Sequence, residues 1–224
     1  MERSSWLAER RAAVVAEYDA EAPTYDEHDY PVPLHAAFVD RLVATCPPAG
    51  IILDAPCGTG RYFAQVAGAG RRLVGVDQSA GMLAMARARG LAERLEHVGL
   101  QELAFVRAFD AAMTIDAMEN MAPEDWPAVV DNIRSALRPG GHWYLTVEEV
   151  DAGIVDAAFA DLTARGLPVV HGEVVDGDVA GYHYYPGRER ALGWLRDAGF
   201  ALVDEAFDQQ AGWGYRHLIV RAPG

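Results

Sequence analysis

Residues 51–63 have the sequence IILDAPCGTGRYF, which predicts a strand, a tight turn and the start of a helix. Three apolar residues precede Asp54, which is typical of a short buried strand. Gly58 and Gly60 follow, and a helix-like run covers residues 62–69. A strand that ends in an acid and passes through a glycine-rich turn into a helix opens a nucleotide-binding βαβ unit. The glycines allow close backbone approach to a ligand, and the helix N-terminus offers free N–H groups.

The turn departs from two other nucleotide-binding loops. A dinucleotide-binding turn carries a third glycine that allows close packing of helix on strand, and Phe63 occupies that position here. A phosphate-binding P-loop requires a lysine, and the chain contains none. The first observation argues against NAD or FAD, and the second excludes a P-loop protein.

Composition favours one acidic globular domain spanning residues 1–224. The chain is 51% hydrophobic and carries a net charge of −14, and its length allows a single α/β domain with a buried core. It shows no basic patch, no signal-peptide layout and no apolar run of membrane length. The sequence therefore predicts a cytoplasmic protein with neither nucleic-acid nor membrane partners. Cys46 and Cys57 provide no disulfide framework, and no metal-ligand cluster is apparent.

Strands and helices alternate from residue 51 onward, after a helical N-terminal cap in residues 1–50. Strands are predicted at 51–55, 72–76, 95–98, 110–115, 142–147, 200–206 and 215–221. Helices are predicted at 5–17, 35–44, 61–69, 80–89, 125–137, 153–165 and 188–198. Such alternation predicts a parallel sheet with helices on both faces. The last two strands are joined by too short a loop for a crossover helix, so they should form an antiparallel hairpin.

These features resemble class I S-adenosylmethionine-dependent methyltransferases. Asp54, Gly58 and Gly60 match the first motif of that family, and Pro56 replaces its first glycine, a variant familiar among bacterial small-molecule members. The Arg-Pro-Gly-Gly turn at residues 138–141 is a second family mark. The resemblance implies a Rossmann-like three-layer sandwich whose seven-stranded, mostly parallel sheet ends in an antiparallel hairpin. It also implies a cofactor-binding core over residues 51–150, S-adenosylmethionine as methyl donor, S-adenosylhomocysteine as product, and transfer to an oxygen or nitrogen of a small molecule.

The resemblance also places the cofactor contacts at strand ends. Asp77, 23 residues beyond Asp54, is expected to accept hydrogen bonds from the ribose hydroxyls. The alternative is that Asp77 caps the helix that starts near Ala80. Met82 is expected to pack on the adenine, or else in the core. The other predicted cofactor residues, besides Asp54, are Ala55, Pro56, Gly58, Gly60, Gln78, Leu100, Gln101, Ile115 and Asp116.

An insertion arm over residues 166–186 is predicted to cover the acceptor side. An Asp-Gly pair at residues 176–177, between valine-rich flanks, predicts a β-hairpin. The arm ends in the densest aromatic patch of the chain, residues 182–185. Within it, His183 is a candidate general base, with a packed histidine as the alternative. Glu148, at the end of the fifth strand, is the second catalytic candidate and faces either acceptor or solvent.

For the remaining candidate site residues, the sequence allows both a functional and a purely structural role. Tyr25 closes over the methionine end of the cofactor, as the resemblance implies, or packs the N-terminal helix on the domain. Glu119 caps a turn or takes part in catalysis. Trp213, Tyr215 and His217 are expected to pack the sheet edge or to support a homodimer rather than to take part in chemistry.

Two other functions remain open at this stage. One is an NAD-dependent oxidoreductase of the same general fold, which Phe63 opposes. The other is a protein that binds the cofactor without catalysis, as an accessory subunit. The first motif and Asp77 favour cofactor binding but do not establish turnover.

Overall fold

A seven-stranded sheet forms the centre of the fold. The computed structural model describes residues 1–28, 33–175 and 181–224. The described strands are β1 (Ile51–Asp54), β2 (Arg72–Asp77), β3 (Arg94–His97), β4 (Phe109–Thr114), β5 (Leu137–Val150), β6 (Glu173–Val175), β7 (Tyr182–Tyr184), β8 (Ala201–Gln209) and β9 (Trp213–Arg221). The described helices are α1 (Arg3–Glu21), α2 (Pro33–Thr45), α3 (Phe63–Gly68), α4 (Ala80–Arg89), α5 (Trp126–Ala136), α6 (Ala152–Ala164) and α7 (Gly187–Asp197).

The strand order confirms the predicted fold class. The main sheet runs β3-β2-β1-β4-β5-β9-β8. Strands β1 to β5 pair in parallel, whereas β9 runs antiparallel to both β5 and β8. The order reverses between β1 and β4, and ligands of open α/β sheets bind beyond the carboxyl ends of the strands at such a switch point.

The Arg-Pro-Gly-Gly turn lies within the span of β5 rather than before it. Leu137 pairs with Phe109, and the next pair along β5 joins His142 to Ala111. The turn bulges out between these two pairs, with Gly140 at φ +75°. A glycine tolerates that left-handed conformation at little cost. The strand therefore begins earlier than the alternation of apolar residues predicted.

Helices cover both faces of the sheet. Successive side chains of a strand point to opposite faces, so neighbouring residues of β5 pack against different helices. Trp143 and Tyr144 of β5 are both fully buried, but in different core clusters. Trp143 packs in the cluster that includes Trp126 of α5. Tyr144 packs in the cluster that includes Phe63 of α3. The three layers predicted from the family resemblance are thus present. No described helix is both long and apolar enough to cross a membrane.

Strands β6 and β7 form a separate antiparallel pair, as the hairpin prediction requires. The predicted turn at residues 176–177 lies outside the described residues. Tyr182 of β7 meets the Trp6 ring of α1 edge-on, with ring centroids 5.7 Å apart. This aromatic contact holds the arm against the N-terminal helix.

A buried carboxylate fixes the same arm to the start of α1. Glu173 has a fully buried side chain and accepts hydrogen bonds from Arg3 Nη2 at 2.8 Å and from the Tyr182 hydroxyl at 2.6 Å. Its second oxygen accepts the Val170 N–H at 2.7 Å. Arg3 also contacts Glu124, whose side chain is 47% exposed. The two acids that share one arginine therefore differ mainly in burial.

We expect Arg3→Met to lower the free energy of unfolding by about 2–3 kcal/mol, because it leaves the Glu173 carboxylate buried without its counter-ion. Glu124→Gln removes only the exposed partner and should cost less than about 1 kcal/mol. Urea denaturation of both variants measures the difference. Equal effects of the two substitutions would show that the buried pair does not hold the arm.

Candidate active site

The glycine-rich turn after β1 lies under a cleft at the carboxyl edge of the sheet. Gly58 and Gly60 both have left-handed backbones, with φ of +51° and +79°. A Cβ at Gly58 would meet no atom within 4 Å, so the space above it is open to a ligand. A Cβ at Gly60 would lie 2.7 Å from the ring of Phe63. Gly60 does not line the cleft, and its predicted contact with the cofactor stays a prediction.

This first cleft, which we call the donor cleft, has a free volume of about 880 Å³. This volume includes space that is open to solvent at the mouth of the cleft. It brings together ten of the thirteen residues predicted to contact the cofactor. These are Tyr25, Asp54, Pro56, Gly58, Asp77, Gln78, Met82, Leu100, Ile115 and Asp116.

Two more of the predicted residues do not line the cleft. Ala55 is fully buried, and its N–H donates to the Met113 carbonyl at 3.0 Å in the sheet. The Gln101 side chain turns toward α5, where Nε2 lies 3.4 Å from Asp125 Oδ2. Both are neighbours of lining residues in the sequence. The direction of each group depends on tertiary contacts, and the predicted cofactor contacts of Ala55 and Gln101 stay predictions.

Asp77 is held by the backbone and keeps acceptor capacity for a ligand. Its Oδ2 accepts the Gly58 N–H at 2.8 Å, and its Oδ1 accepts the Ser79 N–H at 2.8 Å. Ser79 rather than Asp77 caps α4, since Ser79 Oγ accepts the Met82 N–H at 3.0 Å. A carboxylate offers about four acceptor positions. Those that remain can accept hydroxyl groups from a ligand.

Asp54 lines the donor cleft with a carboxyl group that lacks one hydrogen-bond partner. Its side chain is buried, and Oδ2 has no hydrogen-bond partner among the described residues. Burial and the neighbouring charge of Asp77 hold the pKa of Asp54 well above its usual range. A buried polar atom without a partner is costly. A ligand group that carries positive charge or N–H donors would remove that cost.

A second and wider cleft, the acceptor cleft, adjoins the first. Its free volume is about 1680 Å³. The two clefts share Tyr25, Arg61 and Asp116. Compartments that meet at so narrow a boundary can hold two reactants in contact, which is the main requirement of a group-transfer reaction.

Asp116 is fixed at that boundary by its backbone and by two hydrogen bonds. It adopts φ +54°, a conformation that non-glycine residues keep mainly at functional sites. Its N–H donates to Thr146 Oγ1 at 2.7 Å, and its carboxyl accepts the Tyr215 hydroxyl. Tyr215 and Trp213 both line the acceptor cleft. The predicted roles of these two rings in packing the sheet edge or in self-association stay predictions, and the structure adds their position in the cleft.

Glu148 lines the acceptor cleft from the end of β5. Burial, with a smaller contribution from the charge of Asp116, raises the pKa of Glu148 to about 7. A carboxyl group with that pKa exchanges its proton near neutral pH, as a general base or acid requires. The structure thus brings one of the two predicted catalytic residues to the cleft.

The raised pKa of Glu148 also predicts how stability depends on pH. The folded protein binds this proton more tightly than the unfolded chain, whose ordinary value is 4.5. The contribution to stability is therefore fully present below about pH 4.5 and is lost as the pH rises through about 7. Because the group is only partly buried, we expect Glu148→Gln to stabilise the fold by about 1–2 kcal/mol at pH 8 and by almost nothing at pH 4. Urea denaturation at both pH values measures this, and an equal effect at both would contradict it.

Arg61 is a site residue that the sequence predictions missed. Among the described residues, it is the one arginine that lines either cleft, and it lines both. Its guanidinium lies over the ring of Tyr25, 5.6 Å from the centroid. The position directly after Gly60, where the turn enters α3, is the signal that could have identified it.

His183 lines neither cleft, although it lies close to their boundary. It pairs with Val174 in the arm and stacks on Tyr185, with ring centroids 5.9 Å apart. Its positive charge would lower the pKa of Asp116, which shows that the two groups interact electrostatically. A catalytic role for His183 stays a prediction. No group of three or more potential metal ligands occurs in the described parts of the chain.

Comparisons with known proteins agree with this geometry. A model of the methyltransferase domain matches residues 52–141. A demethylmenaquinone methyltransferase of Clavibacter sepedonicus is 27% identical over 88% of this chain and 86% of its own length. The ubiquinone/menaquinone biosynthesis C-methyltransferase UbiE of Nitrobacter hamburgensis is 29% identical over 76% of this chain and 75% of its own. The 1,6-didemethyltoxoflavin-N1-methyltransferase of Burkholderia thailandensis, solved with its substrate and S-adenosylhomocysteine, superimposes with a TM-score of 0.73 at 20% identity over 100% of this chain and 92% of its own.

The Rossmann-like sheet with two adjoining clefts at its carboxyl edge suits a group-transfer enzyme with a nucleoside-bearing donor. The matching domain model, the methyltransferase relatives and the fold together support a class I S-adenosylmethionine-dependent methyltransferase. Its methyl donor is S-adenosylmethionine, and its by-product is S-adenosylhomocysteine. An NAD-dependent oxidoreductase and a non-catalytic binding protein are thereby set aside.

Proposed function

We propose that the enzyme methylates an oxygen or nitrogen atom of a small molecule held in the acceptor cleft, with Glu148 as general base. The observation that carries this proposal is the position of Glu148 in the acceptor cleft, near Asp116 at the boundary with the donor cleft. S-adenosylmethionine supplies an activated methyl group on a sulfonium, so the protein need only align the acceptor, exclude water and remove a proton. Glu148 provides the last of these functions.

The donor cleft suits each part of S-adenosylmethionine. We assign Asp77 to the ribose hydroxyls, because its carboxylate keeps free acceptor positions. Met82 and Leu100 form apolar lining that suits the adenine. The unpartnered oxygen of Asp54 suits the ammonium group, and Arg61 suits the carboxylate of the methionyl part.

Tyr25 and Asp116 belong to both clefts, so we place the transferred methyl group between them. Both are fixed, Asp116 by the Tyr215 hydroxyl and Tyr25 by the Arg61 guanidinium. In this proposal His183 supports Asp116 from the arm through its charge. The cytoplasmic location and a homodimer stay predictions.

Transfer to a ring carbon is the second candidate reaction, supported by the names of the two quinone-pathway relatives. Phenolic rings methylated at carbon also lose a proton from oxygen, so Glu148 would keep its role. The position of the new methyl group in the product separates the two reactions.

The test incubates the enzyme with S-adenosylmethionine labelled in its methyl group and with a panel of phenols, N-heterocycles, amines and hydroquinones. We expect label in at least one organic product and an equal amount of S-adenosylhomocysteine. Mass spectrometry and NMR then give the methylated atom. Label found on carbon alone, or in no member of the panel, would contradict the proposal.

A further inference from the structure

The acceptor cleft is lined by more negative than positive groups. Glu21, Asp116 and Glu148 contribute carboxyls, against the single guanidinium of Arg61. Neither Asp116 nor Glu148 forms a salt bridge with any described residue. By contrast Glu149, the next residue along β5, pairs with Arg216 at 2.5 Å and does not line the cleft. Glu148 and Asp116 thus face the cleft without a salt bridge, although Asp116 interacts electrostatically with Arg61 and His183.

Aromatic rings form a large part of the wall around these acids. Tyr25, Tyr185, Trp213 and Tyr215 all line the cleft. The rings of Trp213 and Tyr215 meet edge-on with centroids 5.5 Å apart. Aromatic faces attract cations through the electrons of the ring, most strongly where water is excluded. Rings and carboxyls around one cavity therefore favour a ligand that is both apolar and positively charged.

A fourth carboxyl, that of Glu119, gives independent support although it lines neither cleft. Glu119 is 4% exposed, and its Oε2 has no hydrogen-bond partner among the described residues. Its charge interacts with those of Asp116 and Glu148. Burial and the charges of Asp116 and Glu148 hold the pKa of Glu119 well above its usual range, because ionising a buried acid without a counter-ion is costly. A cation bound in the acceptor cleft would lower that cost for Asp116, Glu148 and Glu119 together.

We propose that the acceptor is an amine on an apolar or aromatic skeleton, which enters the cleft as its ammonium form and is recognised by Glu148, Asp116 and the surrounding rings. This inference rests on the proposed function and narrows it to methylation at nitrogen. Anionic acceptors such as carboxylates and phosphates are disfavoured by the same carboxyls.

The reaction balances with groups already named. The Glu148 carboxylate takes one proton from the ammonium and leaves a neutral amine with a free electron pair. That pair forms the new N–C bond while the S–C bond of the donor breaks, and its electrons stay on sulfur. The product is a methylated ammonium ion, and Glu148 releases its proton to solvent through the open cleft.

Titration calorimetry on the complex with S-adenosylhomocysteine tests this inference with three probes of matched shape. Phenethylamine, 2-phenylethanol and phenylacetate carry charges of +1, 0 and −1 at neutral pH. We expect phenethylamine to bind at least tenfold more tightly than the alcohol, and phenylacetate to bind most weakly. Glu148→Gln should reduce the preference for the amine to less than threefold, whereas Glu149→Gln should leave it unchanged.

The outcomes separate this inference from the proposed function. If S-adenosylhomocysteine fails to bind, the proposed function itself fails. If it binds but the amine has no advantage, including the case in which none of the three probes binds, only the inference is contradicted. A preference that survives Glu148→Gln would also contradict it, because the recognition would then lie elsewhere.

Discussion

Replacing Asp77 with alanine is expected to weaken the binding of S-adenosylhomocysteine by about 100-fold. Two hydrogen bonds from ribose hydroxyls to a carboxylate are each worth about 1.5–3 kcal/mol, of which part is recovered through water. The carboxylate is held in place by the N–H groups of Gly58 and Ser79 at 2.8 Å each, so it binds without first being ordered. Titration calorimetry measures the change in the dissociation constant.

Asp131→Ala is the matched control for Asp77→Ala. The Asp131 side chain is 61% exposed and pairs only with Arg134 one turn away on α5. We expect the dissociation constant of S-adenosylhomocysteine from Asp131→Ala to stay within twofold of the wild-type value. Asp77→Ala also leaves the N–H groups of Gly58 and Ser79 without their acceptor. Circular dichroism therefore serves as a control that the variant still folds. A folded variant with unchanged affinity would remove Asp77 from the ribose site.

Replacing Glu148 with glutamine is expected to lower kcat by at least about 100-fold, the lower end of the range for loss of a general base. Glutamine keeps the size of the side chain but cannot take a proton. The affinity for S-adenosylhomocysteine should change less than twofold, because Glu148 lines the acceptor cleft and not the donor cleft. Steady-state kinetics with an acceptor found in the labelling panel measures kcat.

The pH profile distinguishes a base from a residue that only shapes the cleft. Because the pKa of Glu148 is raised to about 7, the wild-type kcat/KM should rise about tenfold per pH unit below that value and level off above it. Glu149→Gln, one residue further along β5, should keep both the rate and the profile. A Glu148→Gln enzyme with full activity would exclude the carboxyl as the base.

The fold followed from local signals in the sequence. The alternation of strands and helices, with a short last loop, predicted the parallel sheet and its hairpin. The first motif predicted Gly58, and the end of the second strand predicted Asp77, because both positions depend on the strand that precedes them. Such features need no knowledge of distant side chains.

The site depended on contacts between distant elements, and there the predictions were less complete. Trp213 and Tyr215 line the acceptor cleft, because β9 pairs with β5 and carries their rings to the end that bears Glu148. The raised pKa of Glu148 results from burial and from Asp116 on another strand end. None of these relations is visible in a local stretch of sequence.

A calorimetric titration with S-adenosylhomocysteine, run beside one with NAD, tests most directly that the donor cleft holds the methyl donor. We expect a complex with one molecule of S-adenosylhomocysteine per chain and no heat of binding with NAD, since Phe63 stands where a dinucleotide-binding turn requires glycine. Failure to bind S-adenosylhomocysteine, or equal binding of NAD, would contradict the account.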